Sequence, residues 1–238
     1  MTTKVDVLAI AAHRDDVEIT SGGLIAKFVD FGYSVGILDL TEGEMGSRGD
    51  SATRLAESTE AAKILGVKER ANLGLPDAYL ENSLAARAVL AQKIRDFAPQ
   101  LIIIPHWQQR HPDHRVCSQL SFDACHYAGL KKAKLTGEPH RPRKILYSTY
   151  YEPTVPSFAV DVSAQYERKL AAIRCYNSQF REGDKTNKVF SPGADLFDFV
   201  RANDGALGSQ IRVQFAEAYV LKEIVAIDDP MKLGGLSI

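Results

Sequence analysis

Short apolar runs alternate with amphipathic segments along the first half of the chain. Val5 to Ala12 is a nearly continuous apolar run, typical of a strand buried on both faces. Further strands are predicted at Ser34 to Thr41 and Leu101 to Pro105, with a short one near Ala71 to Leu73. Helical spacing of apolar positions predicts helices over Glu18 to Phe31, Ser51 to Leu65, Ser83 to Phe97 and Val116 to Leu130. Gly32 and Gly66 follow two of these helices, as C-capping glycines do. Strands alternating with helices predict a three-layer, Rossmann-like α/β fold, with a mainly parallel sheet flanked by helices.

The second half of the chain is less regular. It predicts strands at Lys144 to Tyr151 and Phe158 to Val162, an edge strand at Glu217 to Leu221, and helices at Ala164 to Tyr176 and Ala194 to Leu207. A polar loop is expected over 183–192. Because no repeat, low-complexity tract or strong linker interrupts the pattern, we expect a single domain over 1–238.

Composition narrows the possible partners. The 238 residues include 29 basic and 30 acidic side chains, for a formal charge of −1. Such a balance gives no overall field for nucleic acid or an anionic membrane, so we expect neither as a partner. No signal peptide precedes the first strand and no apolar run approaches the roughly 20 residues of a membrane span, so a cytoplasmic location is expected. The three cysteines form no C-x-x-C pair, which favours reduced thiols.

Two polar motifs follow two of the predicted strands. His-Arg-Asp-Asp at 13–16 follows the first strand, and His-Pro-Asp-His at 111–114 comes after Leu101 to Pro105. In an open α/β sheet, ligands bind beyond the carboxyl ends of the strands, where the strand order reverses. Two imidazoles and one carboxylate with an open position are typical of a catalytic zinc site. The pattern therefore makes His13, Asp16 and His114 candidate metal ligands.

The remaining residues of these motifs suit proton transfer. Asp15 is placed to take a proton from a metal-activated water, and His111 could stabilise the oxyanion as a cation or protonate the departing amine. Asp113 could hold the His111 imidazole in the required tautomer. The alternative is structural: acids such as Asp15 and Asp16 are common in the first turn of a helix, and His-Pro is common in turns. The occurrence of both motifs, each after a strand, favours the metal site.

With these residues the chain resembles the PIG-L/LmbE-like zinc N-deacetylases. The signatures of that family are A-H-P-D-D-x-E near the N-terminus and H-P-D-H midway. Here Ala12 to Glu18 reads A-H-R-D-D-V-E, and residues 111–114 match the second signature fully. The resemblance continues through Asp39 to Glu44, Gly46 to Gly49, Arg54 to Glu57 and Asn72 to Asp77. It is most similar to the branch that deacetylates N-acetylglucosaminyl-malate in bacillithiol biosynthesis.

The resemblance implies an LmbE-like deacetylase fold that holds Zn²⁺, with Fe²⁺ or another divalent ion as an alternative. Its site residues correspond to zinc ligands His13, Asp16 and His114, general base Asp15, and an electrostatic or acid pair of His111 and Asp113. It further implies a small N-acetyl amino-sugar substrate and a homo-oligomer, a trimer or hexamer.

Three further residues are candidate substrate contacts by the same resemblance. Arg54 matches the arginine on the substrate's carboxylate side, and a guanidinium suits a malate carboxylate because it can donate two parallel hydrogen bonds. The alternative for Arg54 is a surface ion pair with Glu57 on the same helix. Arg110 and Glu44 are expected at the mouth of the same site.

Arg14 is the main departure from the family pattern, because the family has proline after the first histidine. We expect the Arg14 side chain to point to solvent, with little consequence; an inward orientation would place a cation near the metal. Three alternative functions stay open: the same chemistry on another N-acetyl sugar or a thiol conjugate, a non-catalytic sugar- or metal-binding relative, and a nucleotide-binding Rossmann protein. The last is disfavoured because Gly22-Gly23 lacks the G-x-G-x-x-G spacing.

Overall fold

The computed structural model describes residues 3–184, 186, 192–232 and 234. Its strands are β1 (Val7–Ala11), β2 (Val35–Thr41), β3 (Glu69–Leu75), β4 (Leu101–Pro105), β5 (Lys144–Ser148), β6 (Phe158–Asp161) and β7 (Ala216–Val220). Its α-helices are α1 (Asp16–Asp30), α2 (Ser51–Leu65), α3 (Leu84–Phe97), α4 (Pro112–Ala128), α5 (Tyr166–Arg174) and α6 (Leu196–Gln210). Most of the loop predicted over 183–192 lies outside the described residues.

The strands form one sheet in the order β3-β2-β1-β4-β5-β7-β6. The first five pair in parallel, and β7 runs antiparallel to both β5 and β6. The mainly parallel α/β fold predicted from the sequence is therefore confirmed. Chain order reverses between β1 and β4, which are hydrogen-bonded neighbours, so the switch point lies between the two strands that precede the polar motifs.

Helices cover both faces of the sheet. Side chains of α3 and α4 pack on one face in a core that includes Leu90, Ile94 and Leu120. Helices α1, α2 and α5 pack on the other face, where Ile25 and Leu65 are fully buried. A third cluster joins α5 to α6. Among the described residues, no helix has the length and apolar character to cross a bilayer.

Most predicted elements differ from the structure by no more than three residues at either end, and two differ in other ways. Strand β7 is not an edge strand, since it lies between β5 and β6 with all five residues buried. Its glutamate, Glu217, suggests a solvent-facing strand in the sequence, but the carboxylate pairs with Lys169 Nζ at 2.8 Å inside the protein. Helix α4 begins at Pro112 rather than Val116, because proline suits the first helical turn and His111 caps it by accepting from the Asp113 N–H. Three of the four residues of the second motif are therefore helical.

Candidate active site

Three predicted metal ligands meet at the switch point. His13 follows β1, Asp16 begins α1 and His114 lies in the first turn of α4. One donor atom from each lies within 4.8 Å of the other two. The Asp16 carboxylate stands between the rings, with Oδ1 3.1 Å from His114 Nε2 and Oδ2 3.4 Å from His13 Nδ1. Two imidazoles and one carboxylate at this spacing fit a divalent ion such as zinc.

The His13 ring is held from its far side. Its Nε2 lies 3.1 Å from Asp77 Oδ1 and 3.5 Å from Asp113 Oδ2, which leaves Nδ1 facing Asp16. Burial lowers the pKa of His13, but hydrogen bonds with Asp113, Asp16 and Asp77 outweigh burial and raise that pKa well above its usual value. A carboxylate on the second ring nitrogen is the arrangement that orients a metal-ligating histidine and raises its basicity.

Asp77 is a site residue that the sequence analysis did not identify. Its Oδ2 accepts from the Met45 N–H at 3.0 Å, and its own N–H donates to Glu44 Oε1 at 2.8 Å. The hydrogen bond with His13 lowers the pKa of Asp77 to about 2. The available signal was position, because Asp77 follows β3 just as the two motifs follow β1 and β4. Glu44, an exposed candidate substrate contact, here supports the loop that carries Asp77.

Asp113 does not hold His111 with its carboxylate, contrary to the prediction. That carboxylate contacts His13 instead and accepts from the Ala78 N–H at 2.8 Å. The backbone N–H of Asp113 donates to His111 Nδ1 at 3.2 Å, so a neutral His111 ring carries its proton on Nε2. Burial lowers the pKa of His111, and the charges of His114 and His13 lower it further. These contacts favour a neutral Nε2–H donor over the predicted cation.

Asp15 has a different partner from its neighbour Asp16. Arg54 reaches it from α2, with Nη2 3.3 Å from Asp15 Oδ2, while Nη1 donates to the Gly43 carbonyl at 3.0 Å. The guanidinium is buried, so a surface pair with Glu57 is wrong; Glu57 accepts from Ser178. Burial raises the pKa of Asp15, although the charge of Arg54 acts in the opposite direction. The role of Arg54 as a substrate contact stays a prediction.

Arg14 is buried, and the expectation of a solvent-facing side chain is wrong. Only 3% of the residue is exposed, and Nη2 lies 3.8 Å from Glu42 Oε1. Asp15 and Asp16 line a cavity whose lining does not include Arg14. The Arg14 carbonyl oxygen accepts hydrogen bonds from the Arg70 guanidinium and the Tyr176 hydroxyl. The turn between the candidate metal ligands His13 and Asp16 is therefore tied to the protein interior.

A cavity of about 480 Å³ opens beside the candidate ligands. One side is polar, and Arg110 is its exposed cation. The opposite side is mainly aromatic: the Tyr151 ring lies 5.7 Å from the His114 ring, and Phe199 is parallel to Tyr151 at 6.4 Å. The cavity is lined by Asp15, Asp16, Ile19, Gln109, Arg110, His111, Pro112, His114, Tyr151, Phe180, Leu196 and Phe199.

The sequence and the fold of this chain are similar to those of known deacetylases. The family model described as PIG-L, GlcNAc-PI de-N-acetylase, matches residues 8–125, a span that contains both motifs. Diacetylchitobiose deacetylase of Thermococcus kodakarensis is 34% identical over 191 residues, which is 74% of this chain and 70% of that protein. A conserved protein of Thermus thermophilus, TT1542, is 38% identical, with a TM-score of 0.86 over 94% of this chain and 98% of that one. N,N'-diacetylchitobiose deacetylase of Pyrococcus horikoshii, solved with its inhibitor MPG, is 28% identical, with a TM-score of 0.76 over 90% and 82%.

Proposed function

This chain belongs to the PIG-L family of deacetylases, and we propose that it hydrolyses the acetamide of an N-acetylglucosaminyl substrate, releasing acetate and a free amine. The observation that carries the proposal is the convergence of His13, Asp16 and His114 at the switch point, beside a cavity that Asp15 and His111 also line. The names of two relatives, both diacetylchitobiose deacetylases, support an N-acetylated amino sugar as the substrate class.

Zinc is the proposed ion, with Fe²⁺ or another divalent metal as the alternative, because the donor set of two nitrogens and one oxygen accepts several of them. His13, Asp16 and His114 would hold it. When bound there, the metal would polarise the acetamide carbonyl and lower the pKa of a bound water from about 15.7 to roughly 7.

The protein's own groups supply the proton chemistry in this proposal. Asp15 takes the proton from the attacking water, and burial, which raises the pKa of Asp15, makes its carboxylate a stronger proton acceptor. The Nε2–H of His111 donates to the oxyanion that develops on the acetamide carbonyl. The proton held by Asp15 then goes to the departing amine nitrogen. Aromatic side chains such as Tyr151 and Phe199 keep bulk water from the reacting carbonyl.

N-acetylglucosaminyl-malate is the specific substrate that we propose to test first. Its support is the resemblance of this sequence to the bacillithiol branch, together with the Arg110 cation on the cavity lining. Arg54 is already engaged by Asp15 and Gly43, so Arg110 is the better placed partner for a malate carboxylate. The relatives' names favour diacetylchitobiose as the alternative, in which a second, neutral sugar replaces malate.

The experiment is a measurement of metal content and of acetate release by the purified protein. N-acetylglucosaminyl-malate, diacetylchitobiose and N-acetylglucosamine are each offered before chelation, after chelation and after zinc is restored. We expect about one zinc per chain, with acetate release lost on chelation and recovered with zinc.

Two histidines of the same helix provide matched variants. His114→Ala removes a candidate ligand and is expected to lose both zinc and activity. His126→Ala alters an exposed histidine in the last turn of α4 and is expected to keep both. Zinc bound without acetate release from any of the three compounds would contradict the deacetylase proposal and favour a binding protein. Equal turnover of the malate and chitobiose compounds would contradict malate as the specific substrate.

A further inference from the structure

The turn that presents the candidate metal ligands is tied to two distant elements through one carbonyl group, in addition to its local hydrogen bond from the His13 N–H to Asp16 Oδ2 at 2.9 Å. The Arg14 carbonyl lies between ligands His13 and Asp16 in sequence and accepts two hydrogen bonds from distant elements. One donor is the Arg70 guanidinium on β3, and the other is the Tyr176 hydroxyl just beyond α5. A proline at position 14 would restrain this turn by fixing φ, and the arginine found here does not.

Arg70 is itself fixed by three other elements. Its Nε and Nη2 donate to the two carboxylate oxygens of Asp39 on β2, at 2.8 and 2.9 Å. Its Nη1 donates to Glu18 Oε1 on α1 at 2.5 Å and to the Ser58 carbonyl on α2 at 3.3 Å. A guanidinium with this many fixed partners has one available orientation, since its donors form a planar fork. It therefore offers the Arg14 carbonyl a rigid donor.

Tyr176 is fully buried in the apolar core between the sheet and helices α1, α2 and α5. Its ring is held by that packing, and its hydroxyl donates to the Arg14 carbonyl. A buried phenol hydroxyl normally finds one partner, and here that partner is the backbone of the metal-binding turn.

We infer that Arg70 and Tyr176 are positioning residues of the metal centre, which fix the peptide between His13 and Asp16 so that both ligands and Asp15 hold their geometry. Without these donors the peptide plane can rotate, and a rotation at Arg14 displaces the residues on either side. Metal ligands must be held within about 0.5 Å of the productive geometry, and groups that orient them change metal affinity by about 10- to 100-fold when removed. The inference rests on the metal site of the proposed function but not on the identity of its substrate.

Tyr176→Phe tests the inference because it removes one hydroxyl and keeps the ring. We expect zinc affinity, measured by competition with a chelator, to fall by about tenfold or more. We also expect kcat to fall with KM nearly unchanged, since the substrate cavity is intact. The thermal midpoint of the metal-free protein, measured on the same preparation, should change little. Arg70→Lys, which keeps the charge but loses the fork, should lower zinc affinity in the same direction.

Tyr166→Phe is the matched control. Tyr166 begins α5, is buried, and its hydroxyl has no hydrogen-bond partner among the described residues. This variant should bind zinc and turn over as the wild type does. Wild-type zinc affinity in Tyr176→Phe would overturn the inference and leave the proposed function standing, as would an equal loss in Tyr166→Phe. If the wild-type protein binds neither zinc nor Fe²⁺ nor another divalent ion, the proposed function fails and the inference fails with it.

Discussion

Asp15 and Asp16 are adjacent in sequence and carry the same side chain, yet they meet opposite environments. For Asp16, burial would raise the pKa, but the charge and hydrogen bond of His114 outweigh it and hold that pKa well below its usual value. For Asp15, burial prevails over the charge of Arg54, and the pKa is raised. Neighbouring carboxylates whose pKa values are pushed apart suit different tasks, here a permanent anion for a metal and an acceptor for a proton.

Asp15→Asn separates these two tasks. An amide keeps the size of the side chain but cannot take a proton, so kcat should fall by about 10²- to 10⁴-fold, the usual contribution of general acid–base catalysis. Zinc content should remain that of the wild type, because Asp15 is not among the three grouped ligands. The measurement is kcat with metal content on the same preparation. Loss of zinc in Asp15→Asn would instead assign Asp15 to the metal.

At the scale of single residues, the two polar motifs could be placed from the sequence, but the contacts of Asp77 and Arg14 could not. Residues 13–16 and 111–114 could be brought together from sequence because each motif follows a strand that the apolar pattern predicts. For Asp77 the sequence gives only its position after β3, and nothing in Leu-Pro-Asp identifies its histidine partner 64 residues away. The buried orientation of the Arg14 side chain could not be predicted from the sequence, because it depends on which side of one turn faces the interior.

Helices and strands follow the apolar pattern closely where local signals agree. Ser51–Leu65 begins and ends as predicted, with Asp50 accepting from the Thr53 N–H at its start and Gly66 at its end. The start of α4 was predicted late because the apolar spacing begins at Val116, whereas the helix is started by Pro112 and the His111 cap. Capping residues can therefore extend a helix beyond its apolar stripe, and in α4 they carry His114 into the first turn.

Gly66 and Gly32, which follow helices α2 and α1, are expected to differ in how much stability an alanine would cost. Both follow a helix with positive φ, at 78° and 84°, so alanine at either position costs about 1–2 kcal/mol. A Cβ at Gly66 would also lie 2.9 Å from Val29 Cγ1, whereas a Cβ at Gly32 meets no atom within 4 Å. Gly66→Ala should therefore destabilise the protein more than Gly32→Ala in urea unfolding, with zinc affinity unchanged in both. If both variants lose the same free energy of unfolding, Val29 on α1 moves away from the added methyl group at position 66 at no cost in stability.

The whole molecule is built around one sheet. Strands β1 to β5 pair in parallel, and β7 adds antiparallel pairs with β5 and β6 at one end. Alternating strands and helices predict the parallel part of this sheet. They do not predict that β1 and β4 are neighbours, which is what fixes the switch point. The insertion of β7 between β5 and β6 was not predictable from local pattern, because it depends on pairing with Lys169, which lies 48 residues away from Glu217. A charged residue in a strand sequence predicts an exposed position. That prediction is wrong for Glu217, because a distant lysine pairs with it in the interior.

Lys169 pairs with two carboxylates at once, those of Asp204 and Glu217. Lys169 Nζ lies 2.6 Å from Asp204 Oδ2 and 2.8 Å from Glu217 Oε1, and all three side chains are fully buried. One cation cannot neutralise two anions in a medium of low polarity. Burial accordingly raises the pKa of Asp204 from 3.8 to about 6, although the Lys169 charge opposes the shift.

The pH dependence of global stability tests this cluster. Between about pH 4 and pH 6 the folded protein holds a proton on Asp204 that the unfolded chain has released, so the stabilisation is present below pH 4 and is lost as pH rises through 6. Relative to Asp204→Asn, the free energy of unfolding of the wild type should rise on acidification from pH 7 to pH 4, by on the order of 1–3 kcal/mol. Urea unfolding of both proteins across this range gives the difference directly. If the free energies of unfolding of the two proteins change in parallel with pH, the pKa of Asp204 is not raised in the folded protein.

The hydrogen bond from Tyr176 to the Arg14 carbonyl spans 162 positions of sequence. During synthesis the three candidate ligands and Asp15 are all part of the chain once residue 114 has been added, well before Tyr176. A nascent chain of that length carries all three candidate metal ligands, but its turn lacks one of the two donors to the Arg14 carbonyl. Any fragment that stops short of residue 176 shares this defect, even one that spans residues 8–125, which the family model matches. The second half of the polypeptide therefore contributes a restraint on this turn, although none of its described residues is among the candidate ligands.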